Sequence, residues 1–229
     1  MPGLGTIMNC VCIVVGSIMG VVLKRGLPQK WQETMMNGIA LCIVIIGIQM
    51  AMKTNNIIIT ICSLVIGAII GEVVDIELRM QRLGQWVGDK VAKGDASVAG
   101  KIAEGFVTAT LLFCVGAMTI VGSIDSGISG DNSTLYSKSV IDCVAAIALT
   151  SSMGIGVIFA SVSVLIIEGV LTLLAGVISP ILNDYIISQM SVIGSLLIIA
   201  LALNMLGITK LKVMNFVPAL LLPLILCFF

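Results

Sequence analysis

The fold of this chain is decided by residues 134–175, which read TLYSKSVIDCVAAIALTSSMGIGVIFASVSVLIIEGVLTLLA. Two long apolar runs flank a short turn at 153–156, and each run carries one acidic residue, Asp142 or Glu168, about 13 residues from the centre of the turn. If the runs fold back as a helical hairpin, a rise of about 1.5 Å per residue places both carboxyls at nearly the same depth, roughly 20 Å from the turn. Ionisable groups at such a depth are costly and usually mark a pathway or a coupling site.

The composition places the whole chain in the membrane. Of its 229 residues 59% are hydrophobic and 10% are charged, and the mean hydropathy is +1.19. Soluble domains carry about 25% charged residues, so a water-soluble fold of this size is excluded. The net charge of zero argues against nucleic acid as a partner and leaves the lipid bilayer as the main one.

The apolar runs predict an all-α polytopic membrane protein of about eight transmembrane helices, forming a single integral membrane domain over residues 1–229. The approximate limits are 3–23, 35–52, 57–75, 105–122, 134–153, 157–178, 189–207 and 213–229. Pro218 and Pro223 fall inside the last run and predict a helix that is interrupted there.

The basic residues predict that both termini lie outside the cell membrane. With the N-terminus outside, the inner loops hold ten of the twelve Lys and Arg residues and the outer loops hold only Lys53 and Lys138. The inner ones are Lys24, Arg25, Lys30, Arg79, Arg82, Lys90, Lys93, Lys101, Lys210 and Lys212. The polar segment 76–101 is then cytoplasmic, either as an amphipathic helix on the membrane surface or as a linker between two halves.

A faint internal repeat links the second and seventh predicted spans. Residues 35–50 and 190–205 align without gaps, with Gln49 opposite Asn204, and the two spans run in opposite directions in the predicted topology. An inverted repeat of this kind is a hallmark of secondary transporters. Shared membrane composition explains the same similarity equally well.

The hairpin supplies the main candidate site. Lys138 and Asp142 are four residues apart and share one helix face with Ser139 beside them, while Glu168 meets Asp142 across the hairpin. Two close carboxyls in a low dielectric do not both ionise cheaply, so one holds a proton, which is the chemistry of a proton or sodium coupling site. The structural alternative is a Lys138–Asp142 ion pair that fixes the helix register, with a neutral Glu168 against a neighbouring helix.

Other polar residues are secondary candidates. Glu72 and Asp75 lie on one face at the predicted inner end of the third span, either as an acidic end paired with Arg79 or as a gate for a cation. Four amides line a polar route or make interhelical hydrogen bonds. They are Asn9, Gln49, Asn204 and Asn215.

Two glycine motifs, at 16–20 and 67–71, permit close helix crossing within a subunit or between two subunits. Neither motif by itself determines the oligomeric state.

Metal, cofactor and catalytic signatures are missing from the sequence. The seven cysteines are an odd number scattered through apolar segments, and the chain contains no histidine, so neither a disulfide framework nor a metal site is predicted. No phosphate loop, nucleophile elbow, metalloprotease motif or dinucleotide fingerprint occurs. We therefore expect no cofactor and no enzymatic activity.

Three passages resemble the bacterial polytopic membrane family of unknown function 554 (YdfK/YqgA type). They are GTIMN at 5–9, EGFVTATLLFCVGAM at 104–118 together with STLYSKSVID at 133–142, and VMNFVPAL at 213–220. The resemblance spans nearly the whole chain and implies a multi-pass protein of the bacterial plasma (inner) membrane without naming a substrate. Such proteins commonly have glutamine at the position of Glu168. The resemblance therefore implies that a carboxylate is not required there, and that Asp142, Lys138 and Ser139 are the stronger candidates for the functional site.

These observations predict a secondary transporter that moves a small solute or a monovalent cation by alternating access, coupled to protons or sodium. Asp142 would bind the coupling cation, Lys138 would tune it, and Glu168 would share its proton. A chain this short needs a second copy to frame a pathway, so we expect a homodimer. The alternatives are an ion channel and a non-transporting membrane scaffold or assembly protein.

Overall fold

The computed structural model describes residues 1–24, 28–52, 56–92, 96–180 and 182–227, and within these ranges it contains helices but no strands. The α-helices are α1 (Leu4–Lys24), α2 (Gln29–Ala51), α3 (Ile57–Val74), α4 (Ile76–Ala92), α5 (Ala96–Cys114), α6 (Ala117–Ile128), α7 (Ser133–Met153), α8 (Ala160–Leu173), α9 (Ala175–Ile178), α10 (Asp184–Met205) and α11 (Pro223–Leu226). Two 3₁₀ helices lie at Ile155–Phe159 and Val213–Leu220. The predicted all-α class is confirmed. Arg25, Lys53 and Lys93, which enter the orientation rule, lie outside the described residues.

Six helical segments of the described ranges are long and apolar enough to cross a membrane, so the predicted count of eight is not confirmed. They are Leu4–Lys24, Lys30–Ala51, Ile57–Val74, Ser97–Cys114, Ile155–Leu173 and Asp184–Met205. The helix α7 has 21 residues, but its lysine, aspartate and many hydroxyl residues keep it out of this apolar set. The last segment is a 3₁₀ helix containing Pro218 followed by the four-residue α11, which confirms the predicted interruption.

The span predicted at 105–122 is wrong, because the chain breaks inside it. The helix α5 ends at Cys114 and α6 begins at Ala117, with Gly116 in extended backbone between them. The Thr119 hydroxyl bridges the break by donating to the Phe113 carbonyl at 3.2 Å. Hydropathy does not register such a break, since both sides of it are equally apolar.

The turn predicted within residues 134–175 is present, but α7 and α8 do not pack side by side as a hairpin, because each of them lies against α1. The turn depends on Gly154, whose φ of +96° lies in the region that favours glycine, directly after the end of α7. The 3₁₀ helix Ile155–Phe159 then leads into α8.

The helix α1 packs in parallel against α7 through its small residues. A Cβ added at Gly16 would lie 2.4 Å from the Cys143 carbonyl oxygen, and one added at Gly20 would lie 2.6 Å from the Ile147 carbonyl oxygen. The motif at 16–20 therefore serves a close crossing within the chain. Residues of α1, α5, α7 and α8 bury one apolar core around this contact.

A second apolar core joins α2, α5, α10 and the second 3₁₀ helix. The helices α2 and α10 lie side by side and antiparallel, with Gly47 against Ile199 and Ala51 near Val192, and the inverted repeat itself stays a prediction. The motif at 67–71 packs the second 3₁₀ helix against α3, because Gly67 faces Ala219 and Gly71 faces Asn215 at distances that leave no room for a Cβ. Both glycine motifs thus act inside one subunit.

Hydrogen bonds define the two ends of the bundle. At the amino-terminal face, the Gly3 amide donates to Ser126 Oγ and the Gly5 amide donates to Asn132 Oδ1, each at 2.9 Å. At the opposite face, Lys24 Nζ donates to the Ser152 carbonyl at 3.1 Å. Which face lies inside the cell stays a prediction.

Candidate functional site

Four side chains from three helices form a buried charge cluster: Asn9 of α1, Lys138 and Asp142 of α7, and Glu168 of α8. Lys138 Nζ makes an ion pair with Asp142 Oδ2 and lies 3.4 Å from Glu168 Oε1. Asn9 Nδ2 donates to Asp142 Oδ2 at 3.1 Å and to Glu168 Oε1 at 2.8 Å. The cluster therefore joins residues up to 159 positions apart in the sequence.

Local structure explains how the chain brings these groups together. A spacing of four residues places Lys138 and Asp142 on one face of α7. The glycine turn after α7 returns the chain so that Glu168 of α8 reaches the same level. Asn9 reaches both carboxylates because the glycines of α1 let that helix lie directly on the α7 backbone.

The cluster is shielded from its surroundings on every side. Asn9 and Glu168 are 0% exposed, and Lys138 and Asp142 are each 6% exposed. Interactions between charges at such sites are much stronger than in water, and an uncompensated charge there is very costly.

The charges of the cluster do not cancel when all groups are ionised. Two carboxylates face a single ammonium, which leaves one excess negative charge. Glu168 Oε2 and Asn9 Oδ1 are both buried and have no hydrogen-bond partner among the described residues. One added positive charge, either a proton or a monovalent cation, balances the site.

The predicted neighbour Ser139 is buried but does not bond to the cluster. Its Oγ donates to the Leu135 carbonyl one turn earlier, at 2.7 Å. It therefore helps to pack α7 and leaves Lys138 and Asp142 as the polar pair of this face.

Two predicted route residues lie away from the cluster. Gln49 is exposed on α2. Asn204 closes the turn after α10, because its Nδ2 donates to the Leu211 carbonyl at 2.7 Å and its Oδ1 accepts from Thr209 Oγ1 at 2.7 Å. Neither contacts Asn9, but Asn204 lines the cleft between α4, α5 and α10, whereas Gln49 does not.

Asn215 belongs to a different polar group, at the opposite face. Its Oδ1 accepts from the Glu77 amide at 2.7 Å and its Nδ2 donates to Glu72 Oε2 at 2.6 Å. Lys212 Nζ donates to Glu72 Oε1 at 2.5 Å, and this hydrogen bond raises the pKa of the Lys212 ammonium. These contacts hold the second 3₁₀ helix against α3.

The predicted pairing of the acidic end of α3 with Arg79 is wrong for Glu72, whose partner is Lys212. Asp75 ends α3 in the left-handed conformation, with φ of 51°, and its carboxylate accepts from the Leu78 amide at 3.4 Å. This bend directs α4 away from the axis of α3.

A cleft of about 310 Å³ opens at the opposite face between α4, α5 and α10. Its polar lining includes Glu77, Gln81 and Glu104, and its deeper part reaches Thr108 and Leu111. Leu111 lies one turn before the break between α5 and α6. Cys114, at that break, lies within electrostatic range of Lys138 and of both cluster carboxylates.

Sequence reasoning found three of the four cluster residues but gave Asn9 a different role, as one residue of a route rather than the bridge between both carboxylates. The available signal was an isolated amide in an otherwise apolar first helix. What it could not supply was the parallel packing of α1 on α7, which depends on contacts more than 100 residues apart.

Known proteins resemble the chain over its full length. It is 32% identical over 228 residues to the "Uncharacterized membrane protein YdfK" of Bacillus subtilis (strain 168), covering 98% of this chain and 95% of that protein. It is 29% identical to the "Uncharacterized protein YqgA" of Escherichia coli (strain K12), covering 96% of this chain and 94% of that protein. No solved structure matches the chain. The model of the family "Protein of unknown function (DUF554)" matches residues 4–228, and the chain therefore belongs to this membrane-protein family.

Proposed function

We propose that this protein is a secondary transporter of the bacterial plasma membrane that moves a small solute or ion, with the buried charge cluster as its coupling site. The observation that carries the proposal is that two buried carboxyl groups share one ammonium, with Glu168 Oε2 buried and without a partner among the described residues. A static structural cluster would keep a permanent proton on Glu168, whereas a coupling site gains and loses one positive charge.

Two further features support transport. The interrupted α5–α6 segment packs against α7 and α8, the helices that carry Lys138, Asp142 and Glu168. Transporters commonly build their sites from discontinuous helices, whose ends offer free backbone groups inside the membrane. The cleft at the opposite face extends to Leu111, close to this break, and so offers a way for a solute to reach the middle of the bundle.

The residue roles follow from the contacts. Asp142 binds the coupling cation or a cationic group of the substrate, and Lys138 sets the strength of that binding because it touches both carboxylates. Asn9 holds the carboxylates together. Glu72, which pairs with Lys212 at the opposite face, would act as a gate there.

The test is ion flux into liposomes that contain the purified protein. An internal pH-sensitive dye reports proton flux, and ²²Na⁺ uptake reports sodium flux, each under an imposed gradient and with a panel of small solutes. We expect wild-type protein to exceed protein-free liposomes and Asp142→Asn to lose at least nine-tenths of that excess.

The matched control is Asp184→Asn, because Asp184 is an exposed acidic residue at the start of α10, outside the helices that carry the cluster. It should retain wild-type flux. Equal flux in wild type and Asp142→Asn, or no excess over protein-free liposomes in any condition, would refute the proposal.

A scaffold function has one observation in its favour. Leu83 and Trp86 of α4 are 47% and 56% exposed and lie on one side of a strongly charged helix, where a partner or a membrane surface would bind. Co-purification of a stoichiometric partner that is lost in Trp86→Ala favours this function over transport.

Two other hypotheses have their own tests. Flux that does not saturate as the solute concentration rises would indicate a channel. Cross-linking in the membrane tests the proposed homodimer.

A further inference from the structure

Seven buried oxygen atoms on α1, α6, α7 and α8 have no hydrogen-bond partner among the described residues. Those of Ser17 and Thr150 lie two turns past the cluster, toward the opposite face, and the other five belong to the cluster or to its amino-terminal side. Besides Asn9 Oδ1 and Glu168 Oε2, these five are the hydroxyl oxygens of Thr6, Ser123 and Thr172. All five side chains are at most 8% exposed. Buried polar atoms almost always have a partner, so a group of five calls for a ligand.

Helical spacing puts these oxygens on the same side of the cluster. Thr6 precedes Asn9 by one turn on α1, and Thr172 follows Glu168 by one turn on α8, so both lie toward the amino-terminal face. Ser123 belongs to α6, one turn before Ser126, whose Oγ accepts from the Gly3 amide at the start of α1.

The helix α6 also contacts α8 at the depth of Thr172. A Cβ added at Gly127 would lie 2.3 Å from the Thr172 carbonyl oxygen. The three helices α1, α6 and α8 therefore converge where the five oxygens are found.

The chemistry of the cluster fixes the direction of two of these atoms. Both carboxylates only accept hydrogen bonds when ionised, so the Asn9 amide must turn its Nδ2 toward them and its Oδ1 away. Lys138 and Asn9 together occupy Glu168 Oε1, which leaves Oε2 as the free oxygen of that carboxylate.

The hydroxyls depart from the usual pattern of buried helical residues. Ser139, Ser152 and Ser161 each donate to a carbonyl three or four residues earlier. That local bond is the default for Ser and Thr in such helices. Thr6, Ser123 and Thr172 make no such bond and keep their oxygens available.

We propose that these five oxygens bind a dehydrated Na⁺ ion on the amino-terminal side of the buried charge cluster. One carboxylate and four neutral oxygens form the hard ligand set that such a cation prefers. The single excess negative charge matches a monovalent ion and leaves a divalent one uncompensated. A proton on Glu168 Oε2 would donate one hydrogen bond to a single neighbouring acceptor and leave the other three oxygens without a partner. The role of this Na⁺ as a coupling ion depends on the proposed function, whereas the binding of Na⁺ to the site does not.

Binding is measured on the full chain purified in detergent, with Na⁺ alone as the probe. Thermal unfolding is recorded in NaCl, KCl and choline chloride at constant ionic strength, and ²²Na⁺ binding is measured by equilibrium dialysis. We expect a saturable rise of the melting temperature in Na⁺ and about one Na⁺ bound per chain, with neither effect in choline.

Four variants locate the site. Glu168→Gln should abolish Na⁺ binding, and Thr6→Val and Ser123→Ala should each weaken it at least tenfold. The control is Ser63→Ala on α3, which removes a buried hydroxyl that also has no partner but lies outside the cluster helices. It should bind Na⁺ like wild type. If Glu168→Gln does not fold, the two hydroxyl variants still decide.

Absence of a Na⁺-specific shift and of ²²Na⁺ binding, or equal binding in wild type, Thr6→Val and Ser123→Ala, overturns the inference. The two proposals fail separately. Proton flux that depends on Asp142 without any Na⁺ binding refutes this site and leaves transport intact. Na⁺ binding without any flux refutes transport and leaves the site intact.

Discussion

Replacing Lys138 by methionine tests whether the cluster is a balanced set of buried charges. The change keeps most of the aliphatic length of the side chain and removes the ammonium that pairs with both Asp142 and Glu168. The fully ionised cluster then carries two excess negative charges instead of one. Since all three side chains are at most 9% exposed, water does not screen the difference effectively.

Removing one partner of a buried ion pair costs about 3–5 kcal/mol. We expect Lys138→Met to lower the free energy of unfolding by this amount. In the double variant Lys138→Met/Asp142→Asn the excess charge returns to one, as in wild type. Its loss of stability should fall short of the summed single losses by about 2 kcal/mol, in the range found for side chains in contact.

Reversible unfolding in mixed detergent micelles, followed by circular dichroism as the denaturing detergent is increased, measures all four free energies. Lys212→Met is the control, because the side chains of the Lys212–Glu72 pair are 52% and 60% exposed and its loss should change stability little. A Lys138→Met protein within about 0.5 kcal/mol of wild type, or strictly additive single and double variants, would show that these charges are hydrated or uncoupled.

Two further predictions concern the packing that supports the cluster. Gly16→Ala should lower the free energy of unfolding by about 1–3 kcal/mol, because its Cβ would meet the Cys143 carbonyl oxygen. The control Gly38→Ala, whose Cβ would have no atom within 4 Å, should be neutral or stabilise the protein by up to about 1 kcal/mol. Thermal unfolding compares the two variants, and equal effects would contradict the close contact of α1 and α7. Asn215→Ala should lower the free energy of unfolding by about 1–3 kcal/mol, because it leaves the Glu77 amide without its acceptor. The change should also speed hydrogen exchange in the second 3₁₀ helix, since the hydrogen bond to Glu72 is lost as well. Exchange as slow as in wild type would show that this helix does not depend on Asn215.

Much of the architecture follows from local rules. A fixed rise per residue makes the depth of Asp142 and Glu168 calculable from their distance to the turn, and the structure joins both to one amide. Pro218 and Pro223 interrupt the last segment because proline cannot continue the helical hydrogen bonds. The number of spans was predicted less well, because hydropathy cannot detect the break at Gly116 or separate the polar α7 from its apolar neighbours.

By itself, the sequence determined that this protein belongs in the membrane, that it is helical, and that two acids on either side of a turn share one level. These properties depend on composition and on spacings of a few residues. Only the tertiary structure decided that Asn9 bridges those acids, that Glu72 pairs with Lys212, and that Gln49 faces outward. Such partners lie more than 100 residues apart, and helix packing rather than any local pattern selects them.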